Sequence, residues 1–534
     1  MGVEKEDFDV IIVGYGIAGI SAAIEAADAG KKVLALDRAY GGGASGISGG
    51  VVYGGGGTRQ QEEAGYKDSA ENMYNYLRQE ADGIVSDDTV RRFAETSKEN
   101  IEWLEKQGAE FKGTLSTYKT SYPNDPHYLY FSGNEKTWPY NESAEPAPRG
   151  HRQVAKGMDS GKVLINRMMK SAEEKGVVFR PLSRVDELIK EGNRVVGVKY
   201  RHMSPEDNKE HEKLTKRGSK LNNWAPPIGK LLTTRASNIW EKHAGPREAY
   251  ADGIILAAGG FIYNEEMKSQ YAEGAYSDII PLGTAGDDGK GIALGQSAGG
   301  QTAYMSNMTA WRFMSPMSNW LEGVSVGLSG RRIANEDLYG ATHSRHLIKE
   351  HDGKGFLVMD SDTWEKAIDR IPVECQPFQK LQIRFLLSPI GHKKAKTLEK
   401  LAEKTDIDYK GLKETIDGYN AGISSGKGDP GKKALDMSSE IKQGPFYAID
   451  ISIKNKFAFP TPGLTLGGLT VNEATGEVLD GENKEIKGLY AAGRNAVGIC
   501  SNSYISGLSL ADGVFSGRRA AKHIVNATVG ENIA

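Results

Sequence analysis

Short apolar runs, each closed by glycine or an acid, punctuate this chain. The run at 10–13 is Val-Ile-Ile-Val and stops at Gly14, the pattern of a strand buried on both faces. Residues 18–29 are mostly small, so a helix there can lie close against a sheet. A second strand is expected at 32–36, ending in Asp37. A third falls within 251–261, where Ile254, Ile255 and Leu256 lead into Ala-Ala-Gly-Gly. Helical spacing covers 67–80 and 87–107, with Phe93, Ile101 and Leu104 on one face, and then 160–175. Strands are expected at 177–180, 184–190 and 195–200, the last two a hairpin around Gly192-Asn193. Further on, 283–300 reads as a glycine-rich turn and helix, and 331–440 alternates helix and strand patterns. Strands at 464–480 and 487–493 precede a terminal helix at 506–523.

Four stretches break this rhythm. Residues 41–58 are dominated by glycine, yet Ala, Ser, Ile and Val recur among them. They read as a backbone nest around a flat ligand, the alternative being a mobile loop. Residues 111–150 carry Tyr118, Tyr122, Tyr128, Tyr130, Phe131, Trp138 and Tyr140, interrupted by five prolines that exclude a long helix or a central strand. This is an ordered aromatic loop, packed over a site or simply over the first domain. Residues 203–246 turn polar and lysine-rich around Trp224, Leu231, Leu232, Ile239 and Trp240. They form either a solvated excursion from a β-meander or an interfacial patch for a membrane or partner. Residues 304–320 mix methionines and aromatics, which suits a pocket for a large apolar substrate or an inter-domain core.

Composition narrows the classes. A chain of 534 residues should form more than one domain, and 39% hydrophobic with 26% charged residues is ordinary for a globular protein. A net charge of −3 gives no case for nucleic acid. The two cysteines, Cys375 and Cys500, are far apart, so neither a disulfide framework nor a metal site is expected and a cytoplasmic setting is the default. The charged start lacks a signal region, Glu6 breaks the myristoylation pattern, and no apolar window suits a membrane-spanning helix.

The strongest chemical signal is Gly14, Gly16 and Gly19, spaced G-x-G-x-x-G. It follows a strand and opens a helix at Ile17 and Ala18, whose free amides can face phosphates. Asp37 follows about 20 residues later, where an acid can bind a ribose 2′-OH. Together these mark a dinucleotide site without distinguishing NAD from FAD.

Three distant pieces make the reading more specific. They are this fingerprint with Ala44-Ser-Gly-Ile-Ser-Gly-Gly50, the middle Leu256-Ala-Ala-Gly-Gly-Phe261, and the late Gly488-Leu-Tyr-Ala-Ala-Gly-Arg494. Over nearly the whole chain except 203–246, they resemble the fumarate reductase/succinate dehydrogenase flavoprotein superfamily. The segment Gly330-Arg-Arg-Ile-Ala-Asn-Glu-Asp337 resembles that family's cap. The resemblance implies FAD and an α/β fold. A Rossmann-like FAD-binding domain of the glutathione-reductase kind (1–304 and 446–534) would be interrupted by an α+β cap at 305–445. It implies FAD contacts from Gly14, Gly16, Ile17, Ala18, Gly19, Asp37 and Arg38, then Gly43, Ala44, Ser45, Gly49 and Gly50. Further contacts are Val185, Ala258 and Gly259, and late in the chain Gly493, Arg494, Asn495, Ser506, Leu508 and Ser509.

Departures from the family select a branch. No histidine lies in 44–50, so FAD should be non-covalent. Dicarboxylate enzymes of this family place an arginine in the segment equivalent to 500–510, and here there is none. A buried carboxylate without a fixed cation is costly. The stretch Tyr504-Ile-Ser-Gly-Leu-Ser-Leu-Ala-Asp512, the Ala-Ala-Gly-Arg variant and Ser132-Gly-Asn-Glu135 resemble the 3-ketosteroid Δ4-dehydrogenase branch. That resemblance implies a steroid-like apolar substrate, proton transfer at C4 and hydride transfer between C5 and flavin N5. Tyr504 and Ser506 would polarise the C3 carbonyl and move the proton, with Tyr339 in a relay. The direction of reaction and the electron donor or acceptor stay open. Alternatives are a fumarate- or urocanate-type reductase using Arg312 or Arg345, a Δ1-dehydrogenase, and a flavin-binding subunit without its own turnover. The patch at 203–246 would add peripheral membrane contact.

Overall fold

The computed structural model describes residues 4–531, apart from 205–207, 223–225, 313, 315, 316, 377, 378 and 455–458. Val10–Val13 lies mid-sheet between Gly253–Leu256 and Val33–Leu36, all three parallel. Glu485–Ala491 extends the sheet on one side and Val178–Arg180 on the other, again in parallel. Every residue of the three inner strands is buried. That explains apolar runs without polar alternation, since both faces of the sheet are covered. The helix Ile17–Asp28 covers one face with small residues. A Cβ on Gly19 would stand 2.0 Å from the Gly14 carbonyl oxygen, so the helix reaches its distance only with glycine there. The terminal helix Leu508–Glu531 packs on it in turn.

Ser183–Glu191 and Arg194–His202 form the expected hairpin, and Gly245–Tyr250 completes a meander. The insertion between them is a pair of helices, Asn208–Asn222 and Pro226–His243. Trp240 is fully buried, not interfacial. Its indole N–H donates to the Leu182 carbonyl at 2.8 Å, and the guanidinium groups of Arg184 and Arg201 lie 3.7 and 4.6 Å from its ring. Ile228 and Leu231 stay exposed, and Trp224 lies outside the described residues.

The cap carries an antiparallel sheet in the order Val324–Gly327, Gly355–Met359, Phe446–Asp450, His392–Ala395. The strand Phe446–Asp450, just past the boundary expected at 445, is thus part of this sheet. Phe446 and Ala448 pack with Val324, Val326 and Val358 in the cap core, so the cap keeps its strand through Asp450. The chain then returns through Pro462–Thr465, which pairs with Ile280–Pro281 and Met308–Ala310. Met305, Met308, Met314, Met317 and Trp320 are buried in a core shared by the main sheet and the cap. The methionine stretch is thus inter-domain core, while its Trp311 reaches the cavity described below. Phe313 lies outside the described residues. Among the described residues, no helix is long and apolar enough to cross a membrane.

A buried charge cluster fixes the cap segment before Tyr339. Glu336 accepts from Arg332 at 2.6 Å, from Lys433 at 3.0 Å and from the Ser325 amide at 2.8 Å. Burial alone would raise its carboxyl pKa, but Arg332 and Lys433 outweigh that and hold it well below the usual range. A lowered folded-state pKa stabilises fully above the ordinary carboxylate value and is lost as pH falls toward the lowered one. Arg332→Ala should cost about 3 kcal/mol by urea unfolding at neutral pH. The gap from wild type should narrow below about pH 4. A gap unchanged on acidification would remove Glu336 as its source.

Candidate active site

Four parallel strands release the chain onto one cavity of about 1270 Å³. Gly14 follows Val13, Asp37 follows Leu36, Ala257 follows Leu256 and Ala492 follows Ala491, and all four following residues line it. This is the carboxyl edge of an open parallel sheet, where ligands bind. The volume exceeds the roughly 300–1,000 Å³ of pockets for single small ligands. Two helix N-termini open on it: Gly16, Ile17 and Ala18 of the first helix, and Ser506, Gly507 and Ser509 of the last. Their partial positive charge favours anionic groups.

Of the cofactor residues expected from sequence, Gly14, Gly16, Ile17, Ala18, Asp37, Arg38, Gly43, Ala44, Ser45 and Gly49 line this cavity. So do Val185, Ala258, Gly259, Gly493, Arg494, Ser506 and Ser509. Four others lie behind it. Gly19 presses on Gly14, and a Cβ on Gly50 would meet the Ser160 backbone at 2.4 Å. Asn495 is buried and accepts from the Ala258 amide at 3.0 Å, tying two strand ends together. Leu508 is fully buried in the hydrophobic core. These four shape the cradle from outside.

Several observations test whether the cradle fits a dinucleotide. Asp37 accepts from the Tyr15 amide at 2.9 Å and the Ala39 amide at 2.8 Å, which fixes its carboxylate at the end of the second strand. A Cβ on Gly16 would meet nothing closer than Ser45 Oγ at 3.5 Å, so that backbone faces open cavity. Arg494 donates through Nη2 to Asp287 at 2.7 Å, while its buried Nη1 has no protein partner. An acid for ribose, a side-chain-free approach and an unused guanidinium donor fit FAD. The insertion helps to enclose this end: its Thr215 lines the cavity beside Arg201 of the hairpin and Tyr40, whose hydroxyl meets the insertion's His211 Nδ1 at 2.9 Å. Sequence reading of the insertion missed that role, because it depends on contacts between distant segments.

The expected catalytic residues come together. Tyr339, Tyr504 and Ser506 all line the cavity. The Tyr504 ring lies 6.5 Å from that of Tyr339 and 5.0 Å from that of Trp311. Tyr130, placed by sequence only in an aromatic loop, meets Ser506 Oγ hydroxyl to hydroxyl at 2.8 Å. Tyr339 also interacts with Ser506. Burial pushes the phenols of Tyr504, Tyr339 and Tyr130 well above the ordinary tyrosine range, so all three are neutral donors near pH 7. Ser132 and Asn134 hold the cluster. Ser132 Oγ donates to the Ser506 carbonyl at 3.0 Å, and the Tyr339 amide donates to Asn134 Oδ1 at 2.6 Å. The Tyr53 amide donates to the Gly507 carbonyl at 3.1 Å. Gly507 has φ +91°, and a Cβ there would stand 2.8 Å from Tyr53 N, so this turn requires glycine.

The arginines weighed for a dicarboxylate are engaged elsewhere. Arg312 is buried and donates to the carbonyls of Phe459 at 2.7 Å and Ser452 at 2.8 Å, and Arg345 donates to the Asn502 carbonyl. Neither lines the cavity.

Asp37→Ala removes the acceptor for two backbone amides. FAD content of the purified protein should fall, and its dissociation constant should rise at least roughly tenfold. Fluorescence titration of apoprotein checks this; unchanged affinity would show that the carboxylate is not used.

Relatives share this architecture. A 3-oxo-5-alpha-steroid 4-dehydrogenase of Comamonas testosteroni is 38% identical over 500 residues, covering 91% of this chain and 92% of its own. A 3-ketosteroid-delta4-(5alpha)-dehydrogenase from Rhodococcus jostii RHA1, solved in complex with 4-androstene-3,17-dione, superposes with a TM-score of 0.80 at 29% identity over 97% of both chains. A probable fumarate reductase of Shewanella frigidimarina is 25% identical over 542 residues, covering 98% of this chain and 76% of its own. Residues 9–507 match the family described as FAD binding domain, and the chain belongs to that family of flavoproteins.

Proposed function

We propose that this FAD-dependent oxidoreductase acts on the C4–C5 bond of 3-ketosteroids, with proton transfer at C4. The observation that carries the reading is the cluster of neutral hydroxyls, Tyr130, Tyr339, Tyr504 and Ser506, beside the apolar Trp311, Phe459, Pro460 and Leu464. The basic residues lining the cavity, among those described, are Arg38, Arg184, Arg201, Lys290 and Arg494. Arg38, Arg184, Arg201 and Lys290 belong to segments distant in sequence from the tyrosine cluster, whereas Arg494 shortly precedes Tyr504, acts on it electrostatically, and is itself paired with Asp287 at 2.7 Å. A carbonyl on an apolar skeleton suits such a site better than a carboxylate does. The Comamonas relative is named for the same bond, and the Rhodococcus structure holds a 3-ketosteroid.

The C4 proton is acidic because it lies next to the C3 carbonyl. Neutral phenols can donate to that oxygen and stabilise the charge it gains as the proton leaves. Tyr504 and Ser506 are assigned to this polarisation and to proton transfer. Ser506, flanked by Tyr130 and Tyr339, can accept the C4 proton only as a second proton leaves the far end of the linked hydroxyls to solvent water, the final acceptor, so no phenol has to stay ionised. Bound FAD supplies the hydride exchange with C5. Asp37 and the first helix would hold its nucleotide, and Ser509 with the last helix N-terminus would meet its other end. Peripheral membrane contact through 203–246 has exposed Ile228 and Leu231 in its favour and buried Trp240 against it.

Anaerobic titration of the yellow, oxidised protein with a saturated 3-ketosteroid should bleach the flavin, and after reduction by dithionite a 4-ene-3-ketosteroid should restore the yellow colour while fumarate should not. A response to fumarate alone would sink the steroid reading. Tyr504→Phe should keep its flavin and lose roughly 10²–10⁴-fold in turnover. Tyr130→Phe, which breaks the contact to Ser506, should lose turnover with little change in KM. A Tyr504→Phe enzyme with wild-type turnover would take that phenol out of the chemistry.

A further inference from the structure

The mouth of the cavity has an unusual surface. Ile47, Met158 and Leu381 line the cavity and are also 64, 45 and 62% exposed. Leu381 belongs to the cap helix Gln379–Leu386. Ile383 and Leu386 turn inward there, which leaves Lys380, Leu381 and Arg384 facing out. The preceding helix Ser361–Glu374 exposes Val373 near its end. The Val373 carbonyl accepts from Asn124 at 2.8 Å, in the loop that also carries the cavity-lining Tyr122. Past the short helix, Ile390 is 83% exposed.

Charge follows the same edge. From 379 to 398 the sequence holds Lys380, Arg384, Lys393, Lys394 and Lys396 and no aspartate or glutamate, in a chain of net charge −3. All five basic residues are exposed. Two nearby acids are paired, Asp125 with Arg152 at 2.7 Å and Glu374 with Arg370 at 2.8 Å, while Asp369 is exposed on the same helix as Val373. Exposed leucine, isoleucine and valine interleaved with lysine and arginine suit the interface of an anionic bilayer. The apolar side chains enter the acyl boundary while the basic groups meet headgroup phosphates.

We propose that this edge of the cap, around Leu381, Arg384 and Ile390, docks on an anionic membrane surface and exchanges the apolar substrate with the bilayer through the mouth it borders. The proposal rests on the steroid substrate proposed above, because an apolar molecule concentrates in lipid. It puts membrane contact on the cap and leaves the insertion to enclose the nucleotide end.

The test is co-sedimentation of holoenzyme with phosphatidylcholine vesicles, with and without phosphatidylglycerol, at low and high salt. Wild type should bind only the anionic vesicles and release in high salt. Arg384→Glu combined with Ile390→Glu should bind at least roughly tenfold more weakly. Its flavin absorbance and its response to dispersed steroid should match wild type. Arg384→Lys with Ile390→Leu should restore binding. Equal binding to neutral and anionic vesicles, or equal binding by wild type and the glutamate variant, would overturn the proposal. So would binding abolished by Ile228→Glu with Leu231→Glu but kept in the cap variant. A protein that responds to steroid without binding vesicles refutes the docking alone; one that binds vesicles without responding to steroid refutes the substrate reading.

Discussion

Two helices from opposite ends of the chain touch backbone to backbone, and the cavity exists because they do. A Cβ on Gly517 would stand 2.2 Å from the Ala18 carbonyl oxygen, and one on Gly513 would stand 2.7 Å from Ile17 Cγ2. Only small residues permit that approach. It brings the start of Ile17–Asp28 and the start of Leu508–Glu531 to the same opening. A ligand lying between them meets a positive helix end at two places. FAD suits such a site, with its pyrophosphate in the middle and a flavin that gains charge on reduction.

The second organising device is a short polar strap, Ser132-Gly-Asn-Glu135. It binds Ser506 through Ser132 and Tyr339 through Asn134, and so couples the end of the chain to the cap. Behind it lie buried carboxyls. Tyr76 donates to Glu80 at 2.7 Å and Asn134 donates to the same oxygen at 2.7 Å. The Gly133 amide donates to Glu135 at 2.9 Å. Burial raises the pKa of both acids. Each makes fewer hydrogen bonds than a full carboxylate prefers, so burial disfavours its charged form. The strap trades some stability for a fixed distance between Tyr339 and Ser506.

What sequence could show was local. Val10–Val13 with Gly14, Gly16 and Gly19 is legible because strand, turn and helix are contiguous, and their chemistry depends on spacing alone. Tyr504 and Ser506 were legible through family resemblance. Tyr130 was not, because it reaches Ser506 only after Leu129–Tyr130 pairs with Gly150–Arg152, which in turn pairs with Val51–Tyr53. Trp240 looked like an interfacial residue because its lysine-rich neighbourhood is polar; its burial comes from Arg184 and Arg201 stacking on it from another hairpin. The place of Phe446–Asp450 in the cap sheet was hidden for the same reason: its partner strands lie up to about ninety residues earlier.

The strap carries a consequence for the order in which the protein can come into being. Val10 pairs early with Val33 but gains its second neighbour only when Gly253 has been made, and Leu256 gains its second only with Ala491. Ser132 then waits for Ser506, near the close of the chain. Nascent protein on the ribosome must therefore hold an apolar strand pair with one edge open until later strands are made, a topology of long-range pairings that folds slowly and exposes edges meanwhile. The cavity closes at the same late moment, because both helix N-termini that line it, including residues up to Gly513, must be in place.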